Sequence, residues 1–174
     1  MKPVRYIALL ALSGCAATTP YMPLAAGNSW HYRAVNLATG AENSITMRIE
    51  DRTERGFLVR EPDGTPCWWR VEEGFLVLER PGEVIRFFQV PPRTGVSWWL
   101  KGADGRRYCV RVAGYQDVTV PAGTFPRALR VELESEDRTT RSVFHFARGA
   151  GIVRREQHGN GEWLLELLSY RLAR

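Results

Sequence analysis

The chain has 174 residues, 44% apolar and 25% charged, with 16 glycines and 10 prolines. That balance excludes a disordered tail, a collagen-like repeat and a coiled coil, and suits one globular domain whose core needs no structural metal. The formal net charge of +5 is spread through mixed sequence, with isolated pairs Arg106-Arg107 and Arg154-Arg155 rather than a basic run, so nucleic acid is not an expected partner.

Residues 1–14 read as a secretory signal. Lys2 and Arg5 form a positive start, and Tyr6 to Leu12 form an apolar run far shorter than the ~20 residues a membrane-spanning helix needs. The run ends in Leu12-Ser13-Gly14-Cys15, which resembles the lipobox of bacterial lipoproteins. The resemblance implies cleavage before Cys15, a diacylglycerol on its sulfur and acylation of its new amine, with palmitate among the chains. Two or three such chains anchor stably at ~0.8 kcal/mol per buried methylene. Ala16, where an Asp would favour the inner membrane, points to the outer membrane and its periplasmic side. Loss of the signal lowers Lys+Arg from 24 to 22 against 19 acids, a charge of about +3. The expected organisation is signal 1–14, lipidated tether 15–26 and one β domain 27–174.

After Gly27-Asn28 the chain predicts strand after strand. Ser29–Val35 alternates around Trp30 and Tyr32, and Ser44–Glu50 around Ile45, Met47 and Ile49. Gly56–Arg60 and Cys67–Glu72 are separated by Pro62-Asp63-Gly64; Gly74–Glu79 and Val84–Gln89 are split by Pro81-Gly82. Ser97–Leu100 and Arg107–Val112 flank an Asp104-Gly105 hairpin signal. Ala128–Glu136 places Leu129, Val131 and Leu133 on one face and Arg130, Glu132 and Glu134 on the other. Ser142–Phe146 and Gly151–Glu156 follow. Turn signals every 8–12 residues predict an all-β fold: an antiparallel curved sheet, half-barrel or barrel. Residues 162–172 leave two readings open. Leu164, Leu167, Leu168 and Leu172 have helical spacing, which predicts a short C-terminal helix; the turn at Gly159-Asn160-Gly161 favours a strand.

Export implies a compartment where disulfides persist, so Cys67 and Cys109 are a candidate bridge, with two buried free thiols as the alternative. His31, His145 and His158 lack ligand spacing, so no metal site and no cofactor are expected. No Gly-x-Ser-x-Gly motif occurs, and no carboxylate pair stands out from a solvated strand face. The expectation is therefore a protein that is not an enzyme. Neighbouring strand residues point to opposite faces, so Trp68-Trp69 and Trp98-Trp99 each send one ring to a second surface, outside or in a ligand cavity.

Three phrases in order, Gly27-Asn28-Ser29-Trp30-His31-Tyr32, Val120-Pro121-Ala122-Gly123-Thr124-Phe125 and Gly149-Ala150-Gly151-Ile152-Val153, resemble an uncharacterised class of bacterial lipoproteins. The resemblance implies a curved sheet or half-barrel like those of lipoprotein carriers and lipocalin-like barrels, and no reaction. The expected role is a membrane-anchored, non-catalytic binding or envelope-assembly module for an apolar ligand. The alternative is a protein-interaction module, such as an inhibitor of a cell-wall hydrolase, with an envelope protein as partner.

Overall fold

The structure is a computed structural model that describes residues 19–61, 63–159 and 161–173. Among them no helix occurs, and twelve strands form one antiparallel sheet. In chain order they are β1 (Ser29–Asn36), β2 (Glu42–Thr53), β3 (Gly56–Arg60), β4 (Pro66–Glu72), β5 (Phe75–Arg80), β6 (Glu83–Gln89), β7 (Ser97–Lys101), β8 (Arg107–Val120), β9 (Gly123–Ser135), β10 (Arg141–Ala147), β11 (Gly151–His158) and β12 (Trp163–Arg171).

The sheet order is β6-β5-β4-β3-β2-β1-β12-β11-β10-β9-β8-β7. The first and last strands are therefore neighbours at its centre, and the consecutive strands β6 and β7 are its two edges. The sheet curls until those edges meet without sharing a ladder. Trp98 on β7 bridges the seam: its Nε1 donates to the Arg86 carbonyl at 3.0 Å, and its ring meets Phe75 edge-on at 5.3 Å. The result is a nearly closed barrel, in which a side chain covers edges that would otherwise present open backbone groups.

Strands β8 and β9 are longer than the local pattern suggests. They run together through the turn at Pro121-Ala122, with register shifts between Val112 and Gly114 and between Gln116 and Val118. Such bulges bend a long ribbon so that it follows a curved wall.

Of the two readings of the C-terminal segment the strand is the one found, and the short helix is not: residues 163–171 are strand β12, paired with both β1 and β11. The helix-like spacing has a simple origin. Leu167 opposes Tyr32 and Ser169 opposes His31, so Leu168 is an extra, unpaired residue. That bulge breaks the period of two and places apolar residues three and four apart.

The barrel interior is the core. Trp30, Tyr32, Ile49, Leu76, Phe87, Phe88, Leu129, Phe146 and Leu167 are all buried there. Outside, Arg and Glu alternate into ion pairs, as in Arg141–Glu132–Arg130 and Arg33–Glu166. The solvated-face reading of the β9 carboxylates matches this arrangement.

Candidate functional site

The two ends of the interior differ. At one end the chain segment before β1 packs inward: Met22 is fully buried and Leu24 nearly so. Gly149 N–H donates to the Pro20 carbonyl at 2.6 Å, and Asn28 Nδ2 to Pro23 at 2.8 Å. Trp30 Nε1 donates to the Ala150 carbonyl, and Tyr32 Oη to that of Ile152 at 2.9 Å. Gly151 has φ of +90°, and an added Cβ would lie 3.2 Å from Trp30 Nε1 and 3.3 Å from Met22 Sδ. Only glycine suits both that backbone and that space.

The other end is hollow. A cavity of about 200 Å³ lies among inward residues of the barrel wall, including Val59, Cys67, Trp69, Leu78, Ile85 and Phe87. It adjoins an outer hollow of about 490 Å³ between β1, β2, β11 and β12, where Ala34, Asn43, Ser44 and Trp163 form the rim; Ile45, Leu165 and Arg155 line both. Their size and mainly apolar lining suit a small ligand.

Charged groups also reach into this end, among them Glu61, Arg80, Glu83 and Arg155. Arg80 pairs with Glu83 at 2.5 Å and with Glu61 at 3.3 Å. Arg155 is half-buried and lines both hollows. Burial, reinforced by the Arg80 charge, pulls its guanidinium below the ordinary arginine range, while Glu61 and Glu83 pull it back. Strand alternation would put Arg155 outside if Ile152 is inside. A bulge reverses that: His145 opposes Arg154 and Phe146 opposes Ile152, leaving Val153 extra. Arg155 thus joins Ile152 on the inner wall. The sequence signal available was the basic pair itself, two arginines of which one faces in.

The four tryptophans separate. Trp69 lines the hollow and stacks on Phe87 at 5.3 Å. Trp98 closes the seam. Trp68 and Trp99 lie on the outer wall, capped by Arg55 at 3.6 Å and Arg107 at 4.8 Å respectively. The structure does not bring the four together as one surface.

Cys67 and Cys109 are free thiols, which corrects the candidate disulfide. Cys67, on β4, faces the hollow with buried Trp69; Cys109, on β8, points away from its buried neighbours Val110 and Val112. The two sulfurs lie on opposite sides of the barrel wall, which no bridge spans. Burial pushes the Cys67 thiol up to about 12, so it is a poor nucleophile. Cys15 lies outside the described residues.

The histidines are apart. His31 Nδ1 meets Thr46 Oγ1 at 3.0 Å, and His158 pairs with Glu162 at 2.7 Å. His145 is buried on the back of β10, between Arg130 and Glu132 of β9 and Arg154 and Glu156 of β11. Burial holds it down at about 4, and neither ring nitrogen has a hydrogen-bond partner. Among the described residues no group of His, Cys, Asp or Glu is placed to hold a metal.

No family model matches the chain, and no curated protein matches it in sequence. Two solved structures share its fold. One, from Bacteroides fragilis, is named as an exported protein with a YmcC-like fold; it superposes with a TM-score of 0.58 at 15% identity, over 87% of this chain and 98% of its own. The other, from Parabacteroides distasonis, is named as a lipoprotein and superposes with a TM-score of 0.52 at 14% identity over the same shares. At such identities the likeness is one of architecture: the all-β, nearly closed barrel is a fold this chain has in common with them.

Proposed function

We propose that the chain is a lipoprotein anchored through Cys15 on the periplasmic side of the outer membrane, and that its barrel is a non-catalytic binding module for an apolar ligand. The observation that carries the binding role is the hollow end, an apolar chamber opening to a rim of Asn43, Ser44 and Trp163. The names of the two structural neighbours, one exported and one a lipoprotein, support the envelope location. Burial of Cys67, the thiol that faces the chamber, holds it protonated and supports the non-catalytic reading.

The test has two parts. The purified full chain is extracted for co-eluting lipid and titrated with an environment-sensitive alkyl dye. One saturable site is expected; no bound lipid together with a non-saturable signal would overturn the binding role. For the anchor, Cys15→Ser is expected to move the protein from the membrane fraction to the soluble one, and unchanged membrane retention would count against it.

A further inference from the structure

Arg154 and Arg155 are adjacent on β11 and live in opposite worlds. Arg154 stays on the outer wall, 2.9 Å from Glu156. Arg155 turns inside. Its Nη2 donates to Gln157 Oε1 at 2.8 Å, and its guanidinium lies 4.9 Å from the Phe144 ring centroid. Its Nε is sealed from solvent with no acceptor. Among the described residues no carboxylate comes within ion-pairing distance of it. Glu61 and Glu83, the acids that feel its charge, are both engaged by Arg80. They balance Arg155 from a distance but supply no hydrogen bond to it. A guanidinium has five donors in a rigid fork, and burying such donors unmet is costly.

The place of Arg155 shows where acceptors are missing. It lines the inner chamber, the outer hollow and a third, smaller hollow of about 160 Å³ beside Arg80 and Glu83. These hollows meet at its side chain. On the inner side Val59, Leu78, Ile85 and Phe87 offer hydrocarbon, and the side-chain oxygens of the lining are engaged elsewhere: Tyr32 with the Ile152 carbonyl, Thr46 with His31 and Glu61 with Arg80. A molecule with its tail in that chamber leaves its head beside Arg155.

We infer that Arg155 is the head-group anchor of the chamber, and that the ligand is an amphipath: a hydrocarbon tail with one singly charged, oxygen-rich head, a carboxylate or a phosphodiester. The inference rests on the apolar-binding role proposed above and names its ligand class. Arginine favours such heads because its planar fork gives two parallel charge-assisted hydrogen bonds. The head carries a single charge because a second one would meet Glu61, which lines the inner chamber, or Glu83, which lines the smaller hollow beside it.

The experiment is displacement of the alkyl dye from the full chain by hexadecanoic acid, by hexadecanol and by a lysophosphatidylglycerol of the same chain length. At least one anion is expected to displace the dye at a concentration tenfold or more below that of the alcohol; which one does so identifies the head. Arg155→Met keeps the stem and removes the charge, and is expected to bring acid, alcohol and phosphodiester to equal potency with the alcohol unchanged. Arg155→Lys keeps the charge without the fork, and an intermediate preference is expected. Equal potency of alcohol and anions in the unmodified chain would overturn the inference while leaving apolar binding intact. An anion preference that survives in Arg155→Met would overturn it too. Failure of the dye and of all three probes to bind would instead remove the apolar-binding role itself.

Discussion

One barrel has two unlike ends. At the Met22–Trp30–Gly151 end large side chains fill the interior, and the Trp30 indole and Tyr32 hydroxyl donate to backbone carbonyls of the β10–β11 turn and of β11. At the Arg155 end the same strands leave space and keep a cation whose Nε lacks an acceptor. Along β1 the change falls between Tyr32, which touches both regions, and Ala34; along β11 it falls between Ile152 and Arg155. Two physical jobs are thus divided along single strands: one end supplies cohesion, the other supplies room. Complete packing gives stability, and a site for another molecule requires that packing be forgone locally.

The sharpest way to break the comparison is to hollow the filled end. Trp30→Ala removes a fully buried ring and its hydrogen bond, with an expected loss of ~3–5 kcal/mol in urea unfolding. A loss below ~1 kcal/mol would mean that this end is not the cohesive one.

Gly151→Ala tests the same end through the backbone. A side chain at φ of +90° that also presses on Trp30 and Met22 is expected to cost ~1–3 kcal/mol, read as a lower denaturation midpoint at unchanged slope.

Acid tests the wall behind the rings. His145 has a folded value of about 4 against an ordinary 6.5, so as pH falls the unfolded chain takes up the proton first. Its contribution to stability is complete above about 6.5 and is lost between there and about 4. A decline on the order of 2 kcal/mol is expected across that window, after allowance for solvent screening. His145→Leu is expected to flatten it, leaving the carboxylate-driven loss at lower pH. An identical pH profile in the variant would show that the imidazole is not the group responsible.

The smallest effect on folding sharpens the contrast most. Ile45→Phe adds volume where both hollows meet, and is expected to change stability by less than ~1.5 kcal/mol, because there is space to receive it. The same change is expected to abolish saturable dye binding. Severe destabilisation would show that the chamber is packed in solution.

Much of this was legible in the residues and part was not, for definite reasons. Alternation along Ser29–Val35 and Ala128–Glu136 identifies strands and their inner faces. The opposed rings of Trp68-Trp69 and Trp98-Trp99 follow from the same period. What a period of two cannot show is where it breaks. The extra residues Val153 and Leu168 reverse the parity of β11 and β12, so Arg155 reads as surface and the last strand carries a helical spacing that left its type open. Nor can a pattern of apolar residues show which of them stop short of touching. Val59, Leu78 and Ile85 look like any core, and the space between them depends on barrel curvature rather than on residue type. The separation of Cys67 from Cys109 is of the same kind, set by which side of the wall each faces.

The docking of Met22 and Leu24 at the filled end has a consequence for orientation. Only four peptide steps separate Thr19 from Cys15, a leash of at most about 14 Å. If fatty chains hold Cys15 in a bilayer, the plugged base of the barrel rests against the lipid, and the rim of Asn43, Ser44 and Trp163 looks away from it. Cargo would then come and go on the aqueous side, as into a cup standing on a table.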